Sequence, residues 1–136
     1  MYPLEMVLPL KKELTKNGFK DIFEPNLVED NIKNYLTTLF VINSVCGCSA
    51  SSARPGVIMS LNNNKKPENL ATVFAGYDLD STKKLREFLH PIPPSSPAII
   101  LFKRGKLVHI LHRKNIEGTS AEVISNNLKE IYNQYC

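Results

Sequence analysis

Two cysteines separated by one glycine, Cys46-Gly47-Cys48, are the residues of this sequence best suited to chemistry. They follow a short apolar, β-branched segment and precede a stretch with helical spacing, so the pattern predicts a turn from a buried strand into a helix. Unpaired amides and the dipole at a helix N-terminus stabilise a thiolate, which is the reactive form of cysteine. Because Cys46 comes first in this turn, we predict that it is the nucleophile.

Cys48 is predicted to resolve a mixed disulfide formed on Cys46, with Gly47 giving the backbone the freedom to bring the two sulfurs together. A disulfide across one intervening residue closes a smaller ring than a Cys-x-x-Cys pair does. We therefore expect a strained bond that is readily reduced or exchanged.

Two other interpretations of the cysteine pair stay open. Closely spaced cysteines can be small buried hydrophobic residues, and paired thiolates also bind zinc or copper. A closed zinc site needs two further ligands, and the remaining candidates have no useful spacing to the pair: His90, His109, His112 and Cys136. We therefore predict no metal and no bound cofactor. Neither His109 nor His112 is a convincing base for Cys46, and Cys136 is interpreted as a frayed, incidental thiol.

The elements that must position these residues follow from hydrophobic spacing and turn residues. Five helices are predicted. The first ends before Gly18, the second covers residues 26–36, the third runs from the cysteine turn to Leu61, and the fourth covers residues 80–90. The fifth begins with a capping box at residues 119–122. The predicted strands are residues 19–23, 38–43, 70–77, 98–102 and 107–112, the last two joined by a turn at Arg104-Gly105. Pro55 is expected to kink the helix after the cysteines.

Without the first helix, the order is β-α-β-α-β-β-α, which is that of a thioredoxin-like fold. We therefore expect an α/β protein with a central mixed sheet flanked by helices, an extra N-terminal helix, and a single domain over residues 1–136. This fold places a cis-proline beside the redox turn, and Ser96-Pro97 stands at the matching strand entrance. A cis bond would leave the Ser96 backbone free to pair with an extended substrate. Gly47, Ser96 and Pro97 are the predicted substrate-binding residues.

Composition narrows the classes of protein that fit. The 136 residues are 43% hydrophobic and 22% charged, which is typical of a globular domain. The net charge of +4 is spread along the chain, so we predict no nucleic-acid partner. No apolar stretch approaches the roughly 20 residues of a membrane span, and the N-terminal segment is too short for a signal-peptide core. We expect a soluble cytoplasmic protein with no membrane partner, and its three cysteines do not form a secreted disulfide framework.

The chain resembles the bacilliredoxin family of thioredoxin-like proteins along essentially its full length. The motifs that carry the resemblance are residues 41–48 (VINSVCGC), 53–55 (ARP), 73–78 (VFAGYD), 94–97 (PSSP) and 116–118 (IEG). The resemblance implies a thiol–disulfide oxidoreductase that removes bacillithiol from client-protein cysteines, with this low-molecular-weight thiol as co-substrate and with disulfide isomerase activity. It gives Cys46 the attacking role, Cys48 the resolving role and Pro97 a place in the substrate loop.

Two local departures bear on the chemistry that the resemblance implies. The serines of Ser49-Ala50-Ser51-Ser52 replace plainer residues, and we expect their hydroxyls to alter solvation of the thiolate. Residues 39–42 are all apolar, so the buried acid that precedes the redox turn in thioredoxins is absent. The alternative to an enzyme is a non-catalytic thioredoxin-like module whose cysteines hold a metal or a partner. A catalyst should contain one reversibly oxidised thiol of low pKa without added metal.

Overall fold

The central strand of the sheet is β2 (Thr37–Asn43), whose apolar and β-branched residues are suited to burial on both faces. In the computed structural model, which describes residues 1–136, all seven of its residues are buried. The other strands are β1 (Lys20–Asp21), β3 (Asn69–Phe74), β4 (Ala98–Lys103) and β5 (Lys106–Leu111). The sheet order is β1-β3-β2-β4-β5. The first three strands are mutually parallel, whereas β4 runs antiparallel to both β2 and β5, so the predicted mixed sheet is confirmed.

Helices cover both faces of this sheet. They are α1 (Leu4–Thr15), α2 (Asn26–Lys33), α3 (Arg54–Ser60), α4 (Leu79–Glu87), α5 (Arg113–Ile116) and α6 (Ala121–Tyr135), with a π-helical segment, Ser49–Ala53, directly before α3. Alternate side chains of β2 point into two cores: Leu39 and Val41 pack with α1, α3 and α6, and Phe40 and Ile42 pack with α2 and α4. None of the helices combines the length and the apolar character that a membrane crossing requires.

Several sequence-based boundaries needed correction. The helix expected over residues 26–36 ends at Lys33, the edge strand is only two residues long, and α5 had no counterpart in the prediction. The predicted capping box is wrong, because Ser120 is the N-cap and accepts a hydrogen bond from the amide of Val123. Glu122 therefore stands one position too early to complete a box.

The predicted disturbance at Pro55 is present, but as a change of helix type. The π-helical Ser49–Ala53 lies immediately before α3, in which Pro55 occupies the first turn. Proline has no N–H to donate to the Ser51 carbonyl and crowds it, and the wider helical turn accommodates that loss. At the other end of the sheet, Arg104 and Gly105 have φ of 52° and 78°, as expected for the tight turn of a β-hairpin.

Candidate active site

The cysteine pair lies where the central strand passes into a helix, as its spacing predicted. β2 ends at Asn43, and helical residues begin at Gly47. The amide of Ser49 donates to the carbonyl of Cys46 at 2.9 Å, which closes the first helical turn on the first cysteine. The two Sγ atoms are 2.7 Å apart, and both side chains are partly exposed. The pair is therefore accessible to a substrate and close enough for direct exchange between the sulfurs.

The two thiols differ in their electrostatic surroundings. The pKa of Cys46 is lowered, chiefly because it accepts a hydrogen bond from the Cys48 side chain, with help from the Cys48 backbone amide and the Arg113 charge. Burial raises the pKa of Cys48 to about 11, and its hydrogen bond to Cys46 adds to that increase. These surroundings favour a thiolate on Cys46 while Cys48 keeps its proton.

Polar side chains hold the backbone of the turn rather than the sulfurs. The Ser44 hydroxyl bonds to the Ser49 hydroxyl at 2.8 Å and accepts from the Cys46 amide at 3.2 Å. Ser51 and Ser52 bond to each other at 3.2 Å. The expectation that these serines solvate the thiolate is therefore wrong, because none of them has a hydrogen bond to sulfur.

A buried arginine fixes the turn to the N-terminal helix. Arg54 is 2% exposed, and its Nη1 donates to Asn43 Oδ1 at 2.9 Å and to the Ser44 carbonyl at 3.1 Å. Its Nε lies 3.1 Å from Oε1 of Glu13 in α1. The extra N-terminal helix is therefore bonded to the residues that precede the cysteines, and in the sequence only the Ala53-Arg54-Pro55 motif pointed to this role.

The proline predicted to lie near the cysteines has the expected geometry. The Ser96-Pro97 bond is cis, which confirms the prediction. Ser96 and Cys46 line one open cavity of about 330 Å³, and the backbone amide and carbonyl of Ser96 have no hydrogen-bond partner. Pro97 itself is buried and does not line this cavity. The backbone at the predicted docking position is thus available beside the first cysteine.

The structure gives no conformational reason for Gly47. Its φ is not positive, and a Cβ added to it would have no neighbour within 4 Å. Gly47 is also absent from the cavity wall. A side chain at this position would therefore meet no packing obstacle.

Tyr2 and Gly76 close one side of the same cavity. The Tyr2 amide donates to the Gly76 carbonyl at 3.2 Å, and the Tyr2 ring lies so close to Gly76 that an added Cβ would stand 2.5 Å from it. Gly76 has φ of +81°, so both its conformation and this close approach require glycine. The N-terminus of the chain therefore lies beside the reactive turn.

Three charged residues near the sulfurs were not predicted from the sequence: Arg86, Arg113 and Glu117. Arg113 and Glu117 form an ion pair through Nε and Oε1, and a carboxylate oxygen of Glu117 lies within 4.8 Å of both sulfurs. Arg86 and Arg113 line the cavity beside Cys46. Arg86 lies in α4, whereas Arg113 and Glu117 lie together at α5. In the sequence, only the Ile116-Glu117-Gly118 motif gave any signal.

Glu117 also completes a set of three potential metal donors with the two cysteine sulfurs. The candidates named from sequence do not join it, and His109 instead bonds through Nε2 to Asn127 Oδ1 at 2.9 Å. Three donors are one short of a closed zinc site.

Cys136 lies far from the pair and is not frayed. It packs against the core on the α6 face, and burial raises its pKa despite a hydrogen bond with Thr37. Thr37 begins β2, whereas Cys46 follows its end, and six strand steps at 3.3 Å separate the two ends by about 20 Å. Cys136 is therefore out of reach of a disulfide on Cys46 in the same folded chain.

Comparison with solved structures places the chain in a class. A putative oxidoreductase with a thioredoxin fold superposes with a TM-score of 0.62 at 13% identity, covering 85% of this chain and 96% of that one. A point mutant of a thioredoxin from Halobacterium salinarum superposes with a TM-score of 0.61 at 14% identity, covering 88% of this chain and 91% of that one. At these identities the similarity shows the fold alone, and the protein is thus a thioredoxin-fold protein with a Cys-x-Cys pair in its redox turn.

The chain belongs to the disulphide isomerase family, whose model matches residues 2–136. It is 50% identical to a bacilliredoxin of Cytophaga hutchinsonii, over 98% of this chain and 99% of that protein. It is 46% identical to a bacilliredoxin of Halalkalibacterium halodurans, over 99% of this chain and 94% of that protein. The resemblance found in the sequence is confirmed, and family and fold together support a thiol–disulfide oxidoreductase.

Proposed function

We propose that this protein catalyses thiol–disulfide exchange on client proteins, releasing their cysteines from mixed disulfides with a low-molecular-weight thiol. In this proposal Cys46 is the nucleophile and Cys48 the resolving cysteine. The observation that carries it is the asymmetry of the pair, in which the pKa of Cys46 is lowered and that of Cys48 is raised to about 11. An attacking thiolate is thereby available while its neighbour stays protonated.

The first step transfers the small thiol to the enzyme. The Cys46 thiolate attacks the sulfur of the small thiol, a bond forms between those two sulfurs, and the mixed disulfide breaks. The client cysteine leaves with the electron pair and takes a proton from solvent. An extended client segment would dock on the unpaired backbone of Ser96, with Pro97 and Gly47 beside it.

The second step releases the small thiol. The Cys46 thiolate is one cause of the raised pKa of Cys48, so its conversion to a neutral disulfide lowers that pKa. Cys48 then loses its proton and attacks Cys46. Glu117, the one carboxylate within 4.8 Å of both sulfurs, is placed to accept that proton. The bond between Cys46 and the small thiol breaks, and the small thiol leaves with the electron pair and takes a proton from solvent. The enzyme is left with a Cys46–Cys48 disulfide, and two further thiol groups, from one dithiol or two monothiols, must supply the two electrons that reduce it.

The names of the curated relatives suggest the finer chemistry. Bacillithiol or a similar thiol would be the co-substrate, no bound cofactor would be needed, and disulfide isomerisation would use the same two cysteines. Because the oxidised pair must be reduced again after each turnover, we propose the cytoplasm as its place of action.

A single-turnover reaction tests this function. A client protein with one cysteine is loaded with the small thiol and mixed with Cys48→Ala, which should release the client and keep the small thiol on Cys46 as a stable adduct. Cys46→Ala should form no adduct, and Cys136→Ser should behave as the wild type does. If Cys48→Ala turns over at the wild-type rate without added thiol, Cys48 is not the resolving residue.

Metal carriage is the second candidate function, and the three donors Cys46, Cys48 and Glu117 favour it. The two functions are separable by treating purified protein with a chelator and assaying exchange. Full exchange activity after chelation supports the redox function. A zinc stoichiometry of one per chain with no exchange in either state would support metal carriage.

A further inference from the structure

Arg86 is a half-buried cation without an acidic partner. Its Nη2 donates only to the Ser95 carbonyl at 3.4 Å, and its buried Nε has no hydrogen-bond partner. The two other substantially buried cations, Lys11 and Arg54, each face a carboxylate at 3.0–3.1 Å. A guanidinium with free donors in a half-buried position is suited to receiving an anion from outside the chain.

The Arg86 side chain lines the cavity at the reactive turn. Arg86 and Arg113 line the cavity of about 330 Å³ that also contains Cys46 and Ser96. An adjoining cavity of about 460 Å³ shares both arginines and adds Lys114 and Glu117. Three cations thus surround one carboxylate, which Arg113 already pairs with, so the net charge around the two cavities is positive.

The loop that carries the cis-proline holds this arrangement together. The Ser95 hydroxyl accepts a hydrogen bond from the Arg113 amide at 2.7 Å, and the Ser95 carbonyl accepts the bond from Arg86. The two arginines, which are far apart in sequence, are therefore both fixed to the residue that precedes Ser96. An anion held between them would lie beside both the cysteine and the predicted client-docking backbone.

We propose that Arg86 and Arg113 form a recognition subsite for the carboxylate of the low-molecular-weight thiol. This inference rests on the proposed function and specifies its substrate class, a small thiol that carries a carboxylate. A carboxylate matches the planar donor fork of arginine, and a volume of about 330 Å³ is within the range of small-molecule sites. The small thiol fits this site better than an acidic client side chain does, because Arg86 is half-buried within the wall.

The subsite would also decide which sulfur of the mixed disulfide is attacked. With its carboxylate on the arginines, the small thiol presents its own sulfur to Cys46. The new bond then joins that sulfur to Sγ of Cys46, and the client sulfur leaves with the electron pair. The opposite orientation would leave the enzyme attached to the client.

Two matched substrates test the subsite. One client protein is loaded either with N-acetylcysteine or with N-acetylcysteamine, which differ only in the carboxylate. The wild type should release the N-acetylcysteine client with a kcat/KM about tenfold higher or more. Arg86→Gln should abolish this preference, whereas Lys83→Gln, which removes an exposed cation from the same helix, should keep it.

A measurement on the wild type alone provides a second test that does not depend on how a variant folds. Its preference for N-acetylcysteine should shrink as salt rises from about 0.05 to 1 M, because screening weakens the ion pair. Equal rates on both substrates, or a preference that Arg86→Gln retains, would overturn the subsite while leaving the exchange function intact. If the exchange rate instead depended on acidic residues beside the client cysteine, and not on the carboxylate of the small thiol, the arginines would bind the client. Failure to release either thiol would count against the exchange function itself.

Discussion

Limiting iodoacetamide should label Cys46 before Cys48, and the size of the difference follows from their pKa values. At pH 8 a thiol of pKa about 11 is ionised in roughly one molecule in a thousand. Cys46, with its pKa below the reference value of 9.0, is ionised in roughly a tenth of molecules or more. The more basic Cys48 thiolate is intrinsically more nucleophilic by roughly tenfold over this difference. Cys46 should therefore react about ten times faster, or more.

The assay uses a Cys136→Ser background, so that only the pair can react. Fragment spectra of the peptide that contains both cysteines give the labelling ratio at each pH. Because the pKa of Cys46 is lowered, its labelling rate should rise with pH through that pKa and level off before Cys48 ionises. Protein unfolded in urea should label both cysteines at similar rates. Faster labelling of Cys48, or equal labelling at pH 8, in the folded protein would refute the assignment of the nucleophile.

Further substitutions test the surrounding structure. Gly56→Ala should lower the free energy of unfolding in urea by about 1–3 kcal/mol, because an added Cβ would lie 2.7 Å from a methyl carbon of α6. Gly47→Ala places its methyl group in open space, so it should change the free energy of unfolding by less than about 0.5 kcal/mol. If Gly47→Ala and Gly56→Ala lost the same stability, the packing argument for Gly56 would be wrong. Arg54→Met should lower the free energy of unfolding in urea by roughly 2–4 kcal/mol, because it removes two buried hydrogen bonds. An unchanged unfolding curve would contradict the stabilising role assigned to Arg54. Glu117→Gln should move the Cys46 labelling curve to lower pH, because the Glu117 charge raises that pKa; an unmoved curve would show that the charge is not felt.

The parts that could be predicted from sequence are those with a local signature. The apolar run of β2 could be buried only in the middle of a sheet, and the cysteine turn had to follow it. Ser96-Pro97 was identified because a proline before an apolar strand is a local pattern and the order of elements gave it meaning. In both cases the information lies within a few consecutive residues.

The charged groups around the sulfurs have no such signature. Arg86 lies near the end of α4, and Arg113 and Glu117 lie in and directly after a four-residue helix that no periodicity revealed. What makes them functional candidates is their meeting at one cavity, which depends on the packing of the loop before β4 against α5. Glu117 supplies an acid near the pair from an element that follows the sheet, whereas the apolar residues 39–42 ahead of the turn supply none.

The contact between Tyr2 and Gly76 has a practical consequence for handling the protein. Whatever is joined ahead of residue 1 begins one residue from a wall of the cavity that contains Cys46. An affinity tag there would shield the thiolate from bulky clients and add its own charges to the arginines. A tag after Cys136 would instead emerge about 20 Å away, at the far end of β2. Exchange rates measured on N-terminally and C-terminally tagged protein would therefore differ because of the position of the tag as well as the chemistry of the site.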